Sequence, residues 1–298
     1  MPRFRRDAAF PYILGSAVVG RVPSSLADGV AAAVSVAAAS RDRDRRVMIE
    51  RHLRRVLGPH VPQRRIDALV LRAFASYARY WVEALRLPAM SFDEVDAGMS
   101  WEGLGRIDDA LAAGSGAIIA IPHLGAWDYA GAWLGMIGYP LTVVVEPLEP
   151  PEVFEWFAGY RRSLGMTVVP LGPEAGHAVL RALKANQIVC LLSDRDLAGG
   201  GVEVEFFGER TTVPAGPITL ALRTGAPVFP TAVYYDDDRG GHAGVGRPAL
   251  ELARNGRLRD DVAAGSQLLV SELEVLIRHA PEQWHVFQPN WPSDRALV

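Results

Sequence analysis

Apolar positions in the first hundred residues of this 298-residue chain recur at helical spacing. The segment 41–58, RDRDRRVMIERHLRRVLG, mixes apolar side chains with arginines and ends at Gly58-Pro59, a pair that stops helices. The segment 63–87, QRRIDALVLRAFASYARYWVEALRL, has one apolar face and ends near Pro88. The pattern therefore predicts two helices in this part of the chain.

From about residue 101 the pattern changes to short apolar runs separated by amphipathic segments. The runs are GAIIAIPH, LTVVVE, MTVVPL, IVCLLSD and APVFPTAVYY. This alternation is typical of an α/β fold, in which helices flank a central, mostly parallel sheet. We expect a single domain over residues 1–298, with a helical accessory part at 1–70 and an α/β catalytic core at 71–298.

The apolar stretch between residues 8 and 36 is interrupted by Arg21, Pro23 and Asp28, so it does not reach the length that a membrane-spanning helix needs. Two interpretations of it remain open. A helix pair in this stretch lies in the membrane surface, or it packs on the body of the protein. Three arginines precede the stretch and could meet anionic headgroups: Arg3, Arg5 and Arg6.

Charge and cysteine content narrow the function classes. The 31 basic residues nearly balance 34 acidic ones, so composition predicts no attraction to nucleic acid. The single cysteine, Cys190, excludes an intramolecular disulfide and lies in an apolar run, where we expect a buried thiol in a reducing compartment.

Polar side chains follow three of the predicted strands. His123 follows AIIAI, Glu146 follows LTVVV, and Asp194 and Asp196 follow IVCLL. Ligands of α/β sheets gather beyond the carboxyl ends of the strands, so this edge of the sheet is the predicted site.

The spacing of His123 and Asp128 has a physical interpretation. If a helix begins just after Pro122-His123, Asp128 falls in its first turn and can fold back towards the imidazole. A carboxylate that orients the ring makes histidine a competent general base for a hydroxyl proton. The alternative is a helix cap with an unrelated surface aspartate.

A metal site is the rival explanation, because His123, Asp128, Asp194 and Asp196 are all metal-ligand types. The chain contains no HExxH motif and no cysteine pair, and it also lacks a GxSxG elbow and a GxxxxGK[ST] loop. The motifs therefore give little support to a metal site.

Beyond these motifs, PHLGAWD resembles the His-x4-Asp motif of the glycerolipid and lysophospholipid acyltransferase superfamily. The chain is more similar to the branch with the bacterial lipid A late acyltransferases, and within it to the actinobacterial acyltransferases of phosphatidylinositol mannosides. Ordered blocks between residues 76 and 291 carry the resemblance: SYARYWVEALRLP, PHLGAWDYAGAWL, YRRSLG, VCLLSDRDL, GVEVEFFGE and WHVFQPNW.

The resemblance implies transfer of a fatty acyl chain, palmitoyl in the family's usual donor, from acyl-CoA to a mannose hydroxyl of a phosphatidylinositol mannoside. It implies peripheral binding to anionic lipid at the cytoplasmic face of the plasma membrane, with no metal or redox cofactor. His123 takes the hydroxyl proton and Asp128 orients the ring.

Further site residues follow from the same resemblance. Arg161 binds a phosphate or the developing oxyanion, although its neighbour Arg162 is an alternative. Glu146 and Asp194 hold sugar hydroxyls or brace His123 and Arg161.

Two interpretations remain open for the SDRD segment and for the Phe206-Phe207 pair. Arg195 and Asp196, in SDRD, contribute to the substrate site or to a salt-bridged turn. Phe206 and Phe207 form a wall for the acyl chain or fill the core.

Two other functions share these motifs. One is acyl transfer to another glycolipid or to a lysophospholipid. The other is a non-catalytic lipid-binding membrane protein, which would be indifferent to replacement of His123.

Overall fold

The computed structural model describes residues 39–147, 149–197 and 199–295, together with the isolated positions 29 and 35. The helix pair predicted between residues 8 and 36 lies outside these ranges apart from those two positions. Arg3, Arg5 and Arg6 also lie outside them.

The strands in the described part of the chain are β1 (Met99–Glu102), β2 (Ala117–Ile121), β3 (Leu141–Val145), β4 (Thr167–Pro170), β5 (Ile188–Leu192), β6 (Val202–Phe206), β7 (Glu209–Val213), β8 (Val228–Asp236) and β9 (Gly241–Gly246). Seven of them form one sheet in the order β1-β9-β8-β2-β5-β3-β4. Only the β8–β9 pair is antiparallel, so the predicted mostly parallel α/β sheet is confirmed. Strands β6 and β7 form a separate antiparallel hairpin.

Helices cover both faces of this sheet, and β2 shows why its sequence is continuously apolar. Ile118 and Ala120 belong to the core on one face, and Ile119 and Ile121 belong to the core on the other. The helices are α1 (Arg43–Leu57), α2 (Gln63–Arg86), α3 (Phe92–Ala97), α4 (Gly105–Ala112), α5 (Trp127–Met136), α6 (Pro151–Ser163), α7 (Ala175–Lys184), α8 (Gly216–Thr224), α9 (Leu258–His279) and α10 (Pro292–Arg295).

Helices α1 and α2 confirm the two predicted N-terminal helices. Helix α2 runs through residue 70, so the expected boundary between accessory part and core falls inside one helix. Helix α1 is tied to the C-terminal end of the chain, because Arg55 Nη2 donates to the buried Asp294 Oδ1 at 2.7 Å and His52 Nε2 lies 3.2 Å from Asp294 Oδ2. Among the described residues, no helix combines the length and apolar composition needed to cross a bilayer.

Candidate active site

The register of two neighbouring strands brings His123 and Asp194 together. Strands β2 and β5 are parallel, with Ile121 opposite Leu192, and each of the two polar residues follows two positions later. The imidazole Nδ1 of His123 lies 2.7 Å from Asp194 Oδ1, and the backbone N–H of His123 donates to Asp194 Oδ2 at 2.9 Å. Of the alternatives given for Asp194, the structure places it as a brace on His123.

The protonation states of this pair follow from its surroundings. Burial alone would raise the pKa of Asp194, but the attraction to His123 and the hydrogen bonds from His123 and Trp284 lower it overall. An ionised carboxylate only accepts hydrogen bonds, so Nδ1 of His123 carries the ring proton. Nε2 is then the ring nitrogen that can accept a proton from a substrate.

A tight turn separates His123 from helix α5. Gly125 has φ 62°, and a Cβ there would lie 1.9 Å from the carbonyl oxygen of Val233. The turn is held at both sides, because Gly125 N donates to the carbonyl of Gln283 at 2.9 Å and Ala126 N donates to that of Val233 at 3.1 Å. The helix therefore begins only at Trp127, and not directly after His123.

The predicted contact between Asp128 and the His123 ring is wrong. Because of the intervening turn, Asp128 enters the first turn of α5 facing helices α2 and α6. Its carboxylate accepts from Arg161 Nε and Nη2, both at 2.8 Å, and from the Tyr80 hydroxyl at 2.7 Å. Asp128 is also not a surface residue, because it is buried.

Arg161 and Arg162, the two arginines considered for the substrate site, have different surroundings on α6. Arg161 is largely buried beside the site, whereas Arg162 is exposed and lies 3.5 Å from Glu155. Burial disfavours the charge of Arg161, but the attraction of Asp128 raises its pKa overall. The salt bridge compensates the guanidinium charge, which makes Arg161 a weaker phosphate ligand than the resemblance implied.

Two cavities meet at His123. Cavity 1 has a volume of about 210 Å³ and lies between the sheet and helices α2, α5 and α6. Its walls are mainly apolar: Trp81, Trp101, Ile119, Ile121, Trp127, Leu134, Leu141, Val143, Phe157, Met166 and Val233. Such a lining suits a long hydrocarbon chain.

Cavity 2 has a volume of about 650 Å³ and lies between the strand ends and helices α7 and α8. His123 and Glu146 border both cavities, and Glu146 is exposed at the end of β3. Cavity 2 also has three basic side chains in its lining, from His177, Arg195 and Arg223. A ligand in cavity 2 can therefore present a reactive group to the same imidazole as a ligand in cavity 1.

Asp196 and Arg195 of the SDRD segment make different contacts. Asp196 accepts backbone N–H groups from Gly199 at 3.0 Å and Gly201 at 2.8 Å, so it shapes the glycine loop. Arg195 reaches Gln288 Oε1 at 3.4 Å, and no ion pair with either aspartate is found within the described ranges. The turn is therefore held by carboxylate-to-backbone bonds and not by a salt bridge.

Phe206 and Phe207 do not form a wall of either cavity. The alternation of β6 turns Val204 and Phe206 inward and leaves the two intervening glutamates exposed. Phe206 packs against Trp284 and Trp291 in the core. Of the two interpretations, core packing is correct and the acyl-wall prediction is wrong.

The sequence analysis missed three residues that contact His123, Asp194 or Asp128. Tyr80 binds Asp128, Trp284 binds Asp194, and the buried His285 sits beside His123, with burial and the charge of His123 lowering the pKa of His285 to about 3. The available signal was the aromatic block WHVFQPNW. Within the described ranges, no group of three His, Cys, Asp or Glu side chains is arranged to hold a metal ion.

Comparison with known proteins places this geometry in context. The family model described as bacterial lipid A biosynthesis acyltransferase matches residues 3–293. A relative from Mycolicibacterium smegmatis named phosphatidylinositol mannoside acyltransferase is 38% identical over 286 residues, which cover 95% of this chain and 91% of the relative. A Mycobacterium tuberculosis protein of the same name is 40% identical over 252 residues, covering 83% and 77% of the two chains. A lipid A biosynthesis acyltransferase from Haemophilus influenzae is 24% identical over 227 residues, covering 76% and 69%.

Proposed function

The chain belongs to the bacterial lipid A biosynthesis acyltransferase family, and we propose that it transfers a fatty acyl chain from acyl-CoA to a mannose hydroxyl of a phosphatidylinositol mannoside. The observation that carries the proposal is the His123–Asp194 pair at the shared rim of two cavities. The names of the mycobacterial relatives support the mannosylated acceptor.

The two cavities supply separate places for the two substrates. The apolar cavity 1 receives the acyl chain, palmitoyl by resemblance, with the thioester carbonyl at the rim beside His123. Cavity 2 and its rim receive the polar parts of donor and acceptor, where Arg195 and Arg223 attract phosphate groups. Glu146, at the same rim, accepts hydrogen bonds from sugar hydroxyls.

The chemistry needs only the histidine and its carboxylate. Nε2 of His123 removes the proton of the mannose hydroxyl while the oxygen attacks the thioester carbon. The tetrahedral intermediate collapses, the carbon–sulfur bond breaks, and the imidazolium returns the proton to the CoA thiolate. Asp194 stabilises the imidazolium, and the products are an ester and free CoA.

Peripheral membrane binding at the cytoplasmic face of the plasma membrane belongs to the same proposal, because the acceptor is a membrane lipid. Helix α2 supports it with an outer face that combines basic and apolar exposed residues, namely Arg64, Arg65, Ala68 and Leu71. Such a face suits anionic headgroups.

The test is transfer from labelled palmitoyl-CoA into vesicles that contain phosphatidylinositol mannoside, a lysophospholipid or a lipid A precursor. We expect labelled mannosylated lipid, and a loss of about 10²-fold or more in His123→Ala with vesicle binding retained. His60→Ala, a change at an exposed histidine in the α1–α2 turn, is the matched control. Absence of any mannosylated product would overturn the acceptor, and product on the lipid A precursor would favour the acceptor class of the Haemophilus relative.

A further inference from the structure

The carboxylate of Asp194 is held from two directions. Oδ1 faces the His123 ring, whereas Oδ2 accepts both the backbone N–H of His123 at 2.9 Å and the indole N–H of Trp284 at 2.7 Å. Asp194 is fully buried, so each of these donors replaces water that the charge would otherwise bind. The orientation of the carboxylate plane therefore depends on two donors that converge on a single oxygen.

The C-terminal segment 284–290 contacts both members of the pair. The backbone N–H of His285 donates to the carbonyl of His123 at 2.7 Å, and Asn290 Nδ2 donates to the carbonyl of Asp194 at 3.1 Å. Trp284 also pairs with Leu124 in the turn after His123. This segment therefore links the ends of β2 and β5 where the site is built.

The indole of Trp284 has little freedom to turn. It is buried and packed between the rings of His52 at 5.5 Å and of Phe206 and Phe207 at 5.9 Å each, measured between centroids. A rigid donor on Oδ2 keeps Oδ1 directed at the histidine. A mobile carboxylate would populate orientations in which the ring is not held.

We propose that Trp284 is a positioning residue for acyl transfer, whose indole N–H holds Asp194 in the orientation that leaves Oδ1 to His123. The proposal rests on the proposed function of the His123–Asp194 pair, and it adds a residue outside the motifs that the resemblance assigns to catalysis. The indole touches no substrate cavity and acts only through the carboxylate.

The test removes the indole N–H and keeps an aromatic side chain. Trp284→Phe removes the donor, and Trp291→Phe is the matched control. Trp291 is equally buried in the same cluster, but its indole N–H donates to the carbonyl of Phe206 at 3.2 Å and reaches neither His123 nor Asp194. Both variants should lose thermal stability.

Only Trp284→Phe should lower kcat, by about 10- to 100-fold with KM nearly unchanged, as for other supporting hydrogen bonds. It should also shift the acid limb of the pH profile of kcat/KM to higher pH by about half a unit or more. The reason is that a carboxylate with one hydrogen-bond donor fewer attracts the imidazolium more strongly. The other ionisable groups that line a cavity with His123 or contact it are the same in both variants, and they include Tyr80, Asp128, Glu146, Arg161, Arg195 and His285.

The proposal would be overturned if Trp284→Phe and Trp291→Phe had the same kcat and the same acid limb. It would also be overturned if the acid limb of Trp284→Phe lay at lower pH than that of Trp291→Phe. If Trp284→Phe fails to fold, benzothienylalanine at position 284 replaces the N–H by sulfur at nearly constant shape and must give the same shifts. NMR titration of ¹⁵N-labelled His123 reads the same pKa without turnover. A His123 pKa that differs from the Trp291→Phe control while no acyl transfer is detected would refute the proposed function and retain the positioning role.

Discussion

Asp128 and Arg161 form a two-pronged ion pair, with Nε and Nη2 of the guanidinium each 2.8 Å from a different carboxylate oxygen. Both side chains are largely buried, and the pair joins the first turn of α5 to α6 next to cavity 1. Asp128, the aspartate of the His-x4-Asp motif, thus stabilises the wall of cavity 1. Asp194, which follows β5, is the aspartate that contacts His123.

This pairing predicts a strong coupling in stability. Asp128→Ala leaves a buried guanidinium without its partner and should lower the free energy of unfolding by about 3–5 kcal/mol. Arg161→Met should also destabilise, but the double variant should lose clearly less than the sum of the two. A double-mutant cycle by urea denaturation measures this coupling, and strictly additive losses would contradict it.

Cavity 1 should determine which acyl chains are used. Val143 lies on its floor on β3, so Val143→Phe should reduce kcat/KM for palmitoyl-CoA by about tenfold or more, and octanoyl-CoA should be affected less. Leu180→Phe, which changes a residue of cavity 2 alone, is the control. If chain-length preference changes in the control and not in Val143→Phe, the acyl chain does not occupy cavity 1.

His285 predicts a specific dependence of stability on pH. Its pKa is about 3 in the folded protein against 6.5 for an unperturbed histidine, so between these values only the unfolded chain takes up this proton. The contribution of His285 is therefore present above pH 6.5 and lost as the pH falls, at about 1.4 kcal/mol per pH unit.

Urea denaturation between pH 6.5 and about pH 5 reports mainly this effect, because the carboxyl groups with a lowered pKa, such as Glu94, Asp194 and Glu209, act mostly below about pH 5. The slope of the free energy of unfolding against pH should become shallower by about one proton equivalent in His285→Gln. It should remain unchanged in the control His60→Gln. Equal slopes in the wild type and His285→Gln would contradict the assignment of His285 as a buried neutral side chain.

Because Phe206 lies in the core, its replacement should affect the stability of the protein and not its preference for acyl-chain length. Phe206→Ala should lower the free energy of unfolding by about 3–5 kcal/mol, because it opens a cavity among Trp284, Trp291 and Phe207. Acyl-chain preference of the folded enzyme should not change. Chemical denaturation and competition between acyl-CoA lengths measure the two quantities, and a changed preference would restore the acyl-wall interpretation.

Four of the five strands that sequence analysis predicted, β2, β3, β5 and β8, lie inside the sheet, where strands form continuous apolar runs. The fifth, β4, is a partly exposed edge strand that was recognised by its short apolar run. Strands β1 and β9 were missed for a physical reason. Strand β1 has four residues, and β9 carries glycine at Gly244, where a Cβ would lie 2.6 Å from the Trp101 ring. A packing demand of the neighbouring strand therefore removed the apolar pattern.

The apolar runs indicated a candidate site at the strand ends, whereas the contact between His123 and Asp194 was only one of two alternatives that the resemblance implied. Polar residues at strand ends identified His123 and Asp194, since both follow buried apolar runs. Their contact depends on the register of β2 with β5, which spacing along the chain does not contain. The spacing of Asp128 favoured a local pair, but the turn at Gly125, fixed by its close approach to Val233, directs Asp128 elsewhere.

Single-turnover transfer from labelled palmitoyl-CoA to phosphatidylinositol mannoside, compared among His123→Ala, Asp194→Asn and Asp128→Asn, tests the central claim most directly. We expect Asp194→Asn to lose about 10²- to 10⁴-fold, close to the loss in His123→Ala, because an amide at this position neither fixes the tautomer nor stabilises the imidazolium. The folded fraction of Asp128→Asn should retain activity within about tenfold of the wild type, less than the contribution of a general base. An Asp194→Asn variant near wild-type rate beside an inactive, folded Asp128→Asn would contradict the account.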